Sequence, residues 1–138
     1  MVGRKRSITP SARLASALAV ASLLTGCGSA GAAPQSVASE FYQAVADEQA
    51  SAACDLLAPQ TRSELEQSAH APCAEALIRQ DLPTVGAPMA TERFGNQAQV
   101  RFDGETAFLA EFDDGWKIVA AGCTPRDPLP YDCVLEGV

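Results

Sequence analysis

The sequence has little of what enzymes most often use for catalysis. It contains one histidine, His70, and only 6% aromatic residues. Catalysis by serine, histidine and aspartate would need this single imidazole, and no nucleophile elbow lies near it. His70 stands in a polar stretch between helical segments, which favours an exposed loop. Glycine-rich phosphate loops are also absent, because the glycines at 26, 28 and 31 lie in the N-terminal region. Hydrolase and nucleotide-binding chemistry are therefore not expected.

Basic residues and long apolar runs are scarce as well. The 138 residues include 10 lysines and arginines against 17 acids, a formal net charge of −7. A surface of this sign repels the phosphates of nucleic acids, so a nucleic-acid partner is not expected. No apolar run reaches the ~18 residues that a membrane-spanning helix needs. The sequence therefore predicts no such helix.

The N-terminus has features that predict an export signal. Four basic residues and no acid lie in residues 1–13, and an apolar stretch of Leu, Ala, Val and Ser follows at 14–24. This layout is typical of a bacterial secretory signal. Residues 24–27, of sequence LTGC, resemble the bacterial lipobox. The resemblance implies that the chain is cut after Gly26 and that Cys27 carries a diacylglyceryl group on its sulfur.

Removal of the signal would leave an acidic lipoprotein. Four of the ten basic residues and none of the 17 acids precede Cys27, so the mature chain would carry six basic residues, 17 acids and a formal charge of −11. Two or three acyl chains hold a protein firmly on a bilayer, while anionic headgroups repel such a domain. We therefore expect a bacterial protein on the outer face of the cytoplasmic membrane, with residues 1–26 as signal, 27–35 as lipidated cysteine and flexible tether, and 36–138 as one domain.

The folded part keeps an even number of cysteines, which suits an oxidising compartment; they are Cys54, Cys73, Cys123 and Cys133. Three pairings are possible. Cys54–Cys73 with Cys123–Cys133 is favoured, since each pair flanks one local unit, but the spacing leaves the connectivity open. A metal site of these thiols and His70 is the alternative, yet the spacings fit no familiar zinc pattern. We expect two disulfides and neither metal nor cofactor.

Helical periodicity fills the first half of the folded part. Three segments are predicted: residues 36–58 with a break near 47–48, residues 62–68, and residues 73–82. Ser36 is expected to cap the first segment, and Pro59 to end it. Thr61 is expected to cap the second, because Glu64 follows three residues later as in a capping box.

After Pro83 the apolar period changes from helical to two. The pattern predicts four strands of an antiparallel meander, at residues 85–94, 97–102, 106–112 and 116–121. The turns between them contain Gly, Asn and Asp, which are typical turn residues. Helices followed by a meander whose apolar face they cover give an α+β fold.

The turn near residue 103 decides which side chains share a face. A two-residue turn would place Val100 and Phe102 on the same face as Glu105. A three-residue turn, with glycine in the left-handed conformation, aligns them instead with apolar side chains, those of Phe108, Ala110, Phe112 and Trp116. The second keeps one face apolar and is preferred. No carboxylate is then expected on the buried face, and Asp103 is explained as a turn residue.

Three segments carry a resemblance to a known family. Residues 41–47 (FYQAVAD) and 53–59 (ACDLLAP) resemble the opening of nuclear transport factor 2-like, cystatin-like cone domains, and residues 114–119 (DGWKIV) are similar to their closing strand. The resemblance covers residues 36–121. It implies N-terminal helices packed on a curved antiparallel sheet of about four strands, forming a cone that often holds a ligand or mediates dimerisation. With its alanine content and preference for arginine, the chain resembles small actinobacterial lipoproteins.

The cone that this resemblance implies raises two functional hypotheses. Its aromatic side chains would pack as core or line a pocket; they are Phe102, Phe108, Phe112 and Trp116. The first hypothesis is a non-enzymatic, lipid-anchored domain that binds a membrane or envelope protein, or a small ligand. The second is a carrier or enzyme that uses the cone as an apolar pocket, and a purely structural role is a third. Residues 124–138 are expected to form a strap held by the second disulfide. The partner and the oligomeric state are left open.

Overall fold

The computed structural model describes residues 31–137 and Gly3. Four helices come first, α1 (Pro34–Ala46), α2 (Ala50–Asp55), α3 (Pro59–Ala69) and α4 (Cys73–Leu77). Six strands follow, β1 (Ala90–Phe94), β2 (Gln97–Arg101), β3 (Thr106–Phe112), β4 (Gly115–Arg126), β5 (Leu129–Asp132) and β6 (Leu135–Glu136). The fold is α+β, as the sequence predicts, but the sheet has more strands than the expected four.

The first helix begins earlier than expected. Pro34 occupies its first turn, with Ala33 at the N-cap position and no side-chain cap. Proline suits this place, since its missing N–H would have no partner within the helix. Ser36 is therefore inside α1, and the prediction that it caps this helix is wrong. The side chain of Pro34 is buried, so the folded domain begins two residues before the boundary that the sequence suggested.

The break after α1 falls where the sequence predicts it. Asp47 is the C-cap of α1, and Glu48 follows with a positive φ of 58°. The N–H of Gln49 then donates to the carbonyl of Ala44 at 2.8 Å. This turn redirects the chain into α2.

The prediction for Pro59 and Thr61 is wrong. Residues 56–58 leave the helical path because they pair with β4: Ile118 N–H donates to Leu56, and Ala58 N–H donates to Ile118, both at 2.8 Å. Pro59 then starts α3, and Thr61 lies within that helix, where it is buried. Its hydroxyl donates to the Val119 carbonyl at 2.9 Å, which joins α3 to the sheet.

The sheet is antiparallel, with strand order β1-β2-β3-β4-β5 and with β6 paired to β4. β1 is shorter than predicted, and β4 extends five residues beyond the predicted end at 121. Register shifts between β3 and β4 mark bulges in this long strand, and bulges bend and twist a sheet. The C-terminal strap is formed by β5 and β6.

Two disulfides hold the domain, in the pairing that the sequence favours. Cys54–Cys73 joins α2 to α4, and Cys123–Cys133 joins β4 to the chain between β5 and β6. Such bonds persist in oxidising compartments. The folded part of the chain therefore belongs to an oxidising, extracytoplasmic environment.

The core lies between the helices and one face of the sheet. α1 contacts β2, β3 and β4, and α3 contacts β4 and β6. The largest fully buried apolar side chains are those of Phe41, Leu77, Val100, Leu109 and Ile118. Each such side chain contributes about 1.5–3 kcal/mol when it is fully buried, so this layer is the main source of stability.

Candidate functional site

The turn between β2 and β3 has two residues, Asp103 and Gly104. Val100 lies opposite Ala107 in the register of these strands, and Phe102 N–H donates to the Glu105 carbonyl at 2.8 Å. Gly104 takes a positive φ of 80°. The three-residue turn preferred from the sequence is therefore wrong.

This register divides the predicted aromatic residues between two faces. Phe102 and Trp116 are buried in the core. Phe108 and Phe112 turn to the opposite face, where the Phe108 ring lies edge-to-face with Tyr131 at 5.0 Å and Phe112 is 39% exposed. The four residues do not line one common pocket, contrary to the grouping made from the sequence.

The same register places a carboxyl group in the core. Glu105 is 4% exposed, although no acid was expected on this face. Neither of its carboxylate oxygens has a hydrogen-bond partner within the described part of the chain. The polar groups around it are the Tyr42 hydroxyl and the backbone amides of Gly122 and Cys123. They lie near the carboxylate without forming hydrogen bonds of good geometry.

Tyr42 links α1 to the sheet at this point. Its hydroxyl accepts a hydrogen bond from the Gly122 N–H at 2.9 Å. Its ring lies edge-to-face with Phe41 and Phe102, with centroids 5.2 and 5.3 Å apart. Gly122 has a positive φ of 66°, and a β-carbon there would lie 2.8 Å from Val134 Cγ2. Close packing therefore holds the Gly122 N–H in the position from which it donates to the Tyr42 hydroxyl.

Burial sets the protonation of this pair. It raises the pKa of the Glu105 carboxyl, and the nearby Tyr42 hydroxyl and the amides of Cys123 and Gly122 oppose that rise only in part. Burial also raises the pKa of the Tyr42 hydroxyl, and Glu105 adds to the rise. Desolvation disfavours charge on both groups. A buried acid of this kind is a candidate proton donor. The alternative is that it has no function and lowers the stability of the fold.

Sequence reasoning missed Glu105 because it gave the apolar pattern more weight than the turn. The Asp103-Gly104 dipeptide is itself a strong signal for a two-residue hairpin turn. That signal would have placed Glu105 on the buried face. The alternation of apolar residues does not reveal Glu105. Phe108 and Phe112, which the two-residue turn moves to the other face, are apolar as well.

Two cavities of similar size adjoin α1. One, of about 490 Å³, is lined by residues of α1, α2 and α4 and of the adjoining turns: Val45, Glu48, Ala50, Leu77, Ile78 and Gln80. The other, of about 500 Å³, lies between α1 and residues 84–88 and includes Tyr42 in its wall. Both volumes fall within the range of small-ligand sites.

The remaining predicted sites divide between described and undescribed residues. Cys27 and the signal lie outside the described residues. His70 is exposed and ends α3 in the left-handed conformation. Within residues 31–137, no group of three or more His, Cys, Asp or Glu side chains is placed to hold a metal ion. No helix in the same range is long and apolar enough to cross a membrane.

Comparison with known protein families, with curated proteins and with solved structures finds no match for this chain.

Proposed function

We propose that this chain is a lipid-anchored, extracytoplasmic binding domain without enzymatic activity. The observation that carries the proposal is the sequence LTGC at residues 24–27, placed between an apolar export segment and a disulfide-bonded domain. A lipobox supplies the anchor, and disulfides require the compartment to which a lipobox leads. Two independent features thus point to the same location.

The structure adds a constraint on how the domain would stand at the membrane. Because α1 begins at Pro34, only residues 28–33 remain between Cys27 and the domain. A random chain of six residues has an rms span of roughly 13 Å. The acidic domain would be held close to the bilayer while its charge opposes contact with anionic headgroups. A partner in or on the same membrane is then within reach.

The fold offers places where a ligand would bind. Helices on one face of a bent antiparallel sheet agree with the nuclear transport factor 2-like resemblance of residues 36–121, which we retain as part of the proposal. The two cavities beside α1 have ligand-sized volumes, about 490 and 500 Å³. We propose that the helical layer carries the binding surface.

Metabolic labelling tests the anchor. Cells that express the full chain would be fed an alkyne-bearing fatty acid, and the protein would be purified and visualised by coupling to an azide dye. We expect label on the wild type and none on Cys27→Ala. A Cys123→Ala variant is the matched control, since it also lacks one cysteine but should keep the label. An unlabelled wild-type protein with its N-terminal methionine intact would refute the proposal.

The second hypothesis, a carrier or enzyme, is favoured by one observation. Glu105 is a buried acid of raised pKa, and Tyr42 stands next to it in the wall of a cavity. A neutral ligand with a carbonyl group in that cavity would accept a hydrogen bond from the Tyr42 hydroxyl. The test is an NMR screen of small neutral carbonyl compounds that monitors the Tyr42 and Glu105 amides. If no compound shifts these signals more in the wild type than in Glu105→Gln, the pair is structural and this hypothesis fails.

A further inference from the structure

The cavity where α1, α2 and α4 meet combines an apolar wall with an acidic side chain. Val45, Leu77 and Ile78 supply the aliphatic surface, and Glu48 supplies the acid. Ile78 is 66% exposed, although burial of an aliphatic side chain is favourable. The cavity thus presents aliphatic surface to solvent beside one carboxylate.

Glu48 is in a backbone conformation that does not suit it. Its φ is 58°, in the left-handed region that glycine adopts without cost and that side chains with a β-carbon disfavour. The turn between α1 and α2 would form more easily with glycine at this position. The geometry of the turn therefore does not explain why position 48 is a glutamate.

The electrostatic surroundings of Glu48 are also unfavourable to its charge. It follows the C-terminus of the 13-residue helix α1, directly after Asp47 at the C-cap. The C-terminal end of a helix carries partial negative charge and favours cations. Within residues 31–137, Glu48 takes part in no ion pair. Arg79, which follows the end of α4, is paired with Glu75. The Glu48 carboxylate therefore has no cationic partner among these residues.

We propose that this cavity binds an alkylammonium group, carried either by a lysine side chain of a peptide or by a free aliphatic amine. The aliphatic stem would lie against Val45, Leu77 and Ile78, in the way that lysine stems cover apolar surface. The ammonium would donate to the Glu48 carboxylate in a charge-assisted hydrogen bond and would meet the negative end of α1. Residues that violate local rules are expected where function requires them, and the cation would offset the unfavourable electrostatics at Glu48.

This inference rests on the proposed binding function and names the chemistry of its ligand. The test uses the mature protein, purified with its anchor in a neutral detergent and labelled with ¹⁵N. It would be titrated with n-hexylammonium chloride and with the peptide acetyl-Leu-Lys-Leu-amide, with 1-hexanol as the uncharged probe. We expect saturable shifts of the amides at 45–50 and 77–80 with both cationic probes and none with 1-hexanol. Tighter binding of the peptide would identify a peptide ligand, and tighter binding of hexylammonium a free amine; both support the proposal.

Three variants separate a site from general attraction to an acidic protein. Glu48→Gln should weaken binding at least tenfold. Asp113→Asn removes the same charge from an exposed turn elsewhere and should leave binding unchanged. Glu48→Gly should abolish binding while raising Tm by roughly 2–5 °C, because glycine relieves the left-handed conformation. Absence of saturable shifts with either cationic probe, equal weakening by Glu48→Gln and Asp113→Asn, or a lower Tm in Glu48→Gly would each overturn the proposal.

The two proposals fail in different ways. A protein that binds the cationic probes but carries no lipid on Cys27 would refute the anchor and leave the cavity assignment in place. An acylated protein that binds neither probe would refute the cavity assignment alone.

Discussion

The Tyr42 hydroxyl accepts a hydrogen bond from the Gly122 N–H at 2.9 Å, across 80 residues of sequence, and it does so next to a buried carboxyl group that has no hydrogen-bond partner within residues 31–137. This contact joins the first helix to the bulged part of β4. Tyr42, Glu105 and Gly122 therefore form one polar cluster within the core, where α1, the β2–β3 turn and β4 meet.

Removing the buried carboxyl should stabilise the domain. An unpartnered buried polar group costs about 1–3 kcal/mol, and methionine has a similar volume to glutamate without that cost. We expect Glu105→Met to raise the free energy of unfolding at pH 7 by about 1–3 kcal/mol, measured by urea denaturation. Glu111→Met, at an exposed position of the same strand, is the matched control and should change stability by less than about 0.5 kcal/mol. A destabilised Glu105→Met would show that the carboxyl has a structural partner.

The same carboxyl should make stability depend on pH. Burial raises its pKa above the ordinary value of 4.5, so the folded state keeps the proton to a higher pH than the unfolded state. This contribution is fully present below the unfolded pKa and is lost as the pH rises through the folded pKa. We expect the stability advantage of Glu105→Gln over the wild type to grow as pH rises above about 4.5 and then to level off. Denaturation of both proteins between pH 4 and 9 measures it; a constant difference would contradict the raised pKa.

Loss of the Tyr42 hydroxyl should destabilise the domain. In Tyr42→Phe the ring contacts remain, but the Gly122 N–H loses its acceptor in the core. An orphaned buried donor costs about 1–3 kcal/mol. Tyr131→Phe is the control, because its hydroxyl accepts from Gln99 at a half-buried site where water can replace it, so the expected loss is under about 1 kcal/mol. Equal losses in the free energy of unfolding would mean that the Tyr42 hydroxyl contributes no more to stability than the Tyr131 hydroxyl.

The sequence predicts the order of elements better than it predicts their contacts. Helices followed by a meander and the break near Glu48 follow from local pattern, and the cysteine pairing is the one that the local units favour. The register at Asp103-Gly104 does not, because two turns of different length both leave apolar side chains alternating. Only the chemistry of the Asp-Gly turn separates them, and the choice decides whether Glu105 or Phe108 faces the core.

Other errors come from partners that are distant in sequence. Thr61 has the spacing of an N-cap, yet its hydroxyl donates to Val119, 58 residues away. Residues 56–58 look helical, but their amides and carbonyls pair with Ile118. In both cases the sheet supplies a hydrogen bond that replaces the local one. No local sequence pattern predicts this long-range bond. The cavity at Glu48 was likewise unpredictable, since it depends on where α4 packs.

The two disulfides should stabilise different halves of the domain by similar amounts. Their sequence separations are 10 residues for Cys123–Cys133 and 19 for Cys54–Cys73, for which the chain-entropy relation gives roughly 2.7 and 3.2 kcal/mol. Replacing Cys123 and Cys133 together by alanine should therefore lower the free energy of unfolding by about 3 kcal/mol.

Hydrogen exchange distinguishes a local from a general effect of these losses. Without Cys123–Cys133, amides of β5 and β6 should exchange faster, since within residues 31–137 these short strands pair only with β4, while α1 stays protected. Without Cys54–Cys73, exchange should instead increase in α2 and α4. Each bond closes one local loop, so opening it loosens the segment that it closes. If either double variant loosened both regions alike, the helical layer and the C-terminal strap would form one cooperative unit.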